Sequence, residues 1–223
     1  MKKILTRGGV ELIAVVLGIT LSLWVDDKRE LNIIDKNNVK TLQSIKNEVR
    51  LRIDYIEQKI NQYQRDIKVG EYVIKNWTDI DFDSITSKTK NDRSIVLTLK
   101  AYRAINLPIS IYNSLNSDGS IARLDQDSIK VILNNLYEVF PAHIVDGVEN
   151  ERVLYHSFNE FIINNYPRIV EDGVGELEKD DYKKFFNDDI VLGYVLEKTH
   201  LRKFILRLIT NYHNRLINFE GML

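Results

Sequence analysis

The sequence predicts an all-α protein in which one N-terminal transmembrane helix continues into a long amphipathic helix, packed in a multi-helix body. Three observations predict it. Residues 8–25 carry a single ionisable residue, Glu11. Apolar side chains then recur every three or four positions from Leu42 to Ile67, within a stretch that holds no proline up to about Trp77. Beyond it, proline, glycine and acidic cap residues divide the chain into further runs with the 3.6-residue period of buried helix faces. The chain accordingly divides into a short basic tail (1–7), a transmembrane helix (8–25), a long membrane-proximal amphipathic helix (26–77) and a helical body packing against it (78–223).

The tail carries Lys2, Lys3 and Arg7, and the 18 residues that follow span roughly 27 Å as a helix, close to the hydrocarbon thickness of a bilayer. Arg7 and Trp24 fall where interface anchors belong, and Asp26, Asp27, Lys28, Arg29 and Glu30 end the run abruptly. Ser22-Leu23-Trp24 places an aromatic where a signal-peptide cleavage site needs a small residue, so a retained anchor is expected. Ala14, Gly18 and Ser22 form a stripe of small residues that lets helices approach closely, which predicts a homo-oligomer. Glu11 projects from about the same face. It either lines a path between packed helices or pairs with Arg7 four residues earlier. The short basic tail favours the N-terminus inside a bacterial inner membrane, although Lys28, Arg29, Lys36 and Lys40 nearly balance the count.

In the second segment Leu42, Ile45, Val49, Ile53, Ile56, Ile60, Tyr63 and Ile67 make one apolar stripe. Two successive steps of four near Val49–Ile53 break a strict heptad, so packing on the chain's own later helices is expected rather than a two-stranded zipper. Asp79, Asp81 and Asp83 resemble the opening of a calcium loop, but Ser84 replaces the turn glycine and Lys90 the closing glutamate. Residues 79–93 read as a connection. Helices are expected over 94–105, 108–116, 125–140, about 142–166 and 189–219, with Pro108 in a first turn, Gly119 as a left-handed stop, Asp125 as a cap, and Pro141 and Pro167 ending runs. The acidic stretch 171–189 reads as a loop. Val195, Leu201, Phe204, Ile205, Leu208, Tyr212, Leu216 and Phe219 are expected to face the core from the last helix.

Composition narrows the function. A chain that is 44% hydrophobic and 28% charged can bury a core without staples, and the absence of cysteine excludes disulfides, thiolate nucleophiles and thiolate zinc sites. A net charge of −1 leaves no broad basic footprint for nucleic acid. There is no Walker loop, dinucleotide fingerprint, serine elbow or paired-histidine zinc motif, so neither enzyme activity nor a cofactor is expected.

The opening Glu11-Leu-Ile-Ala-Val-Val-Leu-Gly-Ile-Thr-Leu-Ser-Leu, with Pro108, Tyr112, Leu115, Gly119, Ile121 and Leu124, resembles a family of bacterial single-pass membrane proteins defined only by a domain of unknown function. The resemblance implies a glutamate-led membrane helix and a helical body. Arg207 and His213 form an Arg-x5-His pattern similar to that of HEPN-type ribonucleases, although six residues turn the two side chains about 120° apart on a helix. The functional expectation is a membrane-anchored homo-oligomer, a pore-forming effector similar in architecture to those of antiviral defence. The alternatives are a non-catalytic membrane-anchored sensor or scaffold with a protein partner, and a ribonuclease.

Overall fold

In the computed structural model the backbone is described for residues 2–81, 95–171 and 179–223, and side chains from Val15 onward except Glu171 and Lys179. One uninterrupted helix, α1 (Lys2–Lys75), covers both of the expected N-terminal segments in 74 residues. The expected boundary at residue 26 is therefore no break in the backbone. Every described residue from Val15 to Asn37 is exposed, and burial against the body begins at Thr41 and Ile45. The first half of α1 is an arm.

The membrane expectation is corrected here. Among the described residues no helix is long and apolar enough to cross a membrane. The apolar run is closed by Asp26 and Asp27 within the same continuous helix. The side chains of Arg7, Glu11 and Ala14 lie outside the described residues. With the span go the resemblance to a single-pass membrane family, the bilayer as partner, the inner-membrane location, the pore-forming homo-oligomer and the membrane-anchored scaffold.

The body follows from three long helices. α2 (Ile95–Lys100), α3 (Ser110–Ser117) and α4 (Asp127–Asn134) lead into α5 (Phe140–Asn165), then α6 (Lys179–Phe185) and α7 (Asp189–Met222). α7 packs along both α1 and α5. It runs antiparallel to α1, since Arg50 meets Glu220, Asp66 lies near Arg202 and Gly70 lies against Thr199. A side chain on Gly70 would run into Thr199 Oγ1, so this glycine sets the close approach of the two helices.

Several boundaries differ from the sequence reading. The helix expected over 94–105 ends at Lys100, and residues 101–109 are irregular. Asp125 caps nothing; its carboxylate instead accepts from Asn38 Nδ2 at 2.7 Å and ties the base of the arm to the body. Gly119 does adopt the left-handed conformation, φ 76°. The acidic stretch includes α6, while residues 82–94 and 172–178 lie outside the described ones. Asp188 caps α7, accepting from Ile190 N at 2.7 Å.

Pro141 does not end a helix. Residues Asn135–Val139 form a π turn that feeds directly into α5. In that turn each N–H bonds the carbonyl five residues back, as Phe140 N does to Asn135 O. The next donor would be residue 141, and proline has none. The Leu136 carbonyl is thereby orphaned by the helix. Arg52 Nη1 donates to it at 3.0 Å and Tyr212 OH at 2.9 Å, so α1 and α7 supply what Pro141 withholds.

Two apolar cores fill the body. One gathers Ile45, Val49, Ile56 and Tyr63 of α1 with Ile144, Ile205, Ile209, Tyr212 and Leu216. The other gathers Val73, Leu99, Phe158, Ile162, Phe185, Val191 and Val195. Along each long helix the residues between the two cores are charged: Asp66 on α1, Glu151 on α5, and Lys198 and Arg202 on α7.

Candidate functional site

This charged layer exists to serve an irregular backbone. Residues 101–109 cross the body without helix or strand partners, so their peptide groups need donors and acceptors from side chains. α1 supplies most of them from one face, at steps of three and four. Glu48 accepts from Ile111 N at 2.7 Å and Tyr112 N at 2.9 Å, capping α3. Arg52 Nε donates to Pro108 O at 2.5 Å, and Tyr55 OH accepts from Asn106 N at 2.8 Å. Lys59 Nζ donates to Ala104 O at 2.7 Å, and Tyr63 OH lies 3.4 Å from Arg103 O. α7 holds the other end: Arg202 Nη2 donates to Thr98 O at 2.8 Å and Ala101 O at 2.6 Å, and Lys198 Nζ to Lys100 O at 3.1 Å. The segment is a strap laid along α1 and clamped across the bundle.

The strap's lower clamp is an ion cluster in which Glu151, Lys198, Arg202 and Asp66 are buried and Arg103 is half-buried. Glu151 is 0% exposed and accepts from Arg202 Nε at 2.8 Å and Tyr63 OH at 3.0 Å, with Lys198 Nζ 3.5 Å away. Asp66 takes Arg103 by two bonds, 2.7 Å from Nε and 2.9 Å from Nη2, a fork that fixes the strap's own side chain to α1. That bond raises the Arg103 guanidinium further, although burial opposes it. Burial pushes the Lys198 ammonium down to about 8, with Glu151 opposing. The upper clamp is neutral in sum: Arg52, 0% exposed, stacks 3.7 Å over the Tyr137 ring and donates to Tyr212 OH at 2.6 Å, one turn from Glu48.

Burial also pushes the phenols of Tyr63, Tyr137 and Tyr212 well above their ordinary value, the first helped by the Glu151 charge. These groups keep their protons in the folded state where the unfolded chain, titrating near 10, has lost them. Above about pH 10 the unfolded state thus binds fewer protons, and stability falls as pH rises. A melting temperature that drops steeply beyond pH 10, with tyrosinate absorbance from these residues emerging only on unfolding, is the expected result; tyrosinate signal for all eleven tyrosines in the folded protein would contradict it.

The residues expected from the sequence fall elsewhere. Gly18, Ser22 and Trp24 are on the exposed arm, where Gly18 has open space around it and Lys28 Nζ lies 4.9 Å over the Trp24 ring. Arg207 is exposed, near the ring of Phe204, whereas His213 is half-buried with Nε2 enclosed and without a hydrogen bond. They point to different faces of α7, which overturns the ribonuclease reading. Among the described residues no group of three or more His, Asp or Glu could hold a metal ion. Glu48, Arg52, Asp66, Glu151, Lys198 and Arg202, which build the site, are absent from the sequence reading.

No family model matches the chain, no curated protein matches it, and no solved structure matches it.

Proposed function

We propose that the protein is a non-enzymatic interaction protein: a locked helical body that holds out the first half of α1 as its contact arm. The observation that carries this reading is the arm itself. Leu17, Leu21, Leu23, Trp24 and Leu31 are each more than half exposed, at 56–61%, and nothing in the described chain covers them. Monomeric proteins rarely leave so contiguous an apolar surface open unless a partner meets it. The body supports the same reading, because its charged layer is spent on backbone groups and closed to solvent, which leaves no place there for a substrate.

A chain begun at Asn37 tests this. It is expected to melt within a few degrees of the full protein, because the arm contributes nothing to either core. Binding of a hydrophobic dye, or self-association, should be seen with the full chain and lost on shortening. Unfolding of the shortened chain would make the arm part of the body, and a full chain showing neither signal would leave the arm without a contact role.

A further inference from the structure

The polar layer is not charge-balanced. Lys198, Arg202 and Arg103 face Glu151 and Asp66, three cations against two anions. Both carboxylates are engaged by arginine, Glu151 by Arg202 and Asp66 by Arg103. Arginine cannot release its proton, so the surplus falls to the one cation that can. We propose that Lys198 is the proton switch of this layer, and that the folded body is more stable when Lys198 is neutral.

Every element packed around Lys198 contributes to this. α1 presents Asp66 and Tyr63, α5 presents Glu151, α7 presents Arg202, the strap presents Arg103, and the end of α2 presents the Lys100 carbonyl. The side chain of Lys198 is 2% exposed, so water does not screen the surplus charge. A neutral amine still donates to the Lys100 carbonyl, so deprotonation removes the layer's surplus charge and keeps that bond. The response belongs to one end of the strap only, since the other end is held by an arginine, Arg52, with Glu48 one turn away.

The sign follows from the downward displacement to about 8. Between that value and the ordinary lysine value near 10.4 the unfolded chain binds more protons than the folded one, so stability rises with pH across this window. Below it both states carry the proton and the gain is absent.

The test is the melting temperature of the full chain between pH 7 and pH 9.5, for the wild type, Lys198→Met and Lys198→Arg, with calorimetry in buffers of different ionisation enthalpy to count protons bound on unfolding. The wild type should gain roughly 5 °C over this range and take up close to one proton on unfolding near pH 9. Lys198→Met should start higher than wild type at pH 7 and show no gain. Lys198→Arg, permanently charged, should melt below wild type at pH 9.5 and show no gain. A flat or falling wild-type profile, a gain retained in Lys198→Met, or no proton uptake near pH 9 would overturn the proposal. If Lys198→Met does not fold, the proton count and the arginine variant decide it.

Discussion

Replacing Glu151 by alanine is expected to remove about 3–5 kcal/mol of stability, the scale for breaking a buried ion pair by deleting one partner. Glu151 is the acceptor for Arg202 Nε, Tyr63 OH and the Arg103 amide, and it lies 3.5 Å from Lys198. Without it, Arg202 keeps only Asp66 at 3.8 Å among carboxylates, and Lys198 loses its nearest anion. For a body of this size the loss corresponds to a fall in melting temperature of roughly 10 °C. Denaturant titration with a constant m-value would measure it. A change below about 0.5 kcal/mol, the level of an ordinary surface substitution, would show that the layer does not hold the bundle together.

Arg52→Leu should cost about 2–4 kcal/mol, because three buried acceptors lose a charged donor at once. Those acceptors are Pro108 O, Leu136 O and Tyr212 OH, and the Tyr137 ring loses the cation above it. The role of Pro141 makes this prediction specific. Adding Pro141→Ala to Arg52→Leu restores a backbone N–H within reach of the Leu136 carbonyl, so part of the loss, about 1 kcal/mol, should return. Strict additivity of the two substitutions would sever Pro141 from the Arg52 site.

The helical class was legible because its signal is local and repeated. Ile45, Val49, Ile56, Tyr63 and Ile67 are buried as their spacing predicts, and Gly119 marks a left-handed stop. The charged site was hidden by residue type. On α7 the buried positions Val191, Val195, Lys198, Arg202, Ile205, Ile209, Tyr212, Leu216 and Phe219 are spaced by four and three without a break. Reading only apolar letters skips Lys198 and Arg202 and drifts to Phe204, which is 39% exposed. Glu151 likewise stands seven residues from both Ile144 and Phe158, on the buried stripe of α5. A charged residue that continues a core stripe was the available signal. The strap had none. Its side-chain partners lie 37 to 101 residues away, and the helix expected to reach Ile105 stops at Lys100 beside carbonyls that Lys198 and Arg202 occupy. In the arm, apolar letters alone suggested a bilayer span, whereas among the described residues no helix is long and apolar enough to cross a membrane.

The polar layer also fixes how the long helices are aligned end to end. An apolar stripe repeated every seven residues matches itself again after a slip of one heptad, roughly 10 Å along the axis. Moved by that amount, α7 would still set aliphatic residues against α1 and α5, so apolar spacing alone would not oppose the slip. Lys198 and Arg202 would not survive the shift, because each would leave Glu151 and enter hydrocarbon, stranding two cations and a carboxylate. A single row of charges thus gives one alignment of otherwise interchangeable turns.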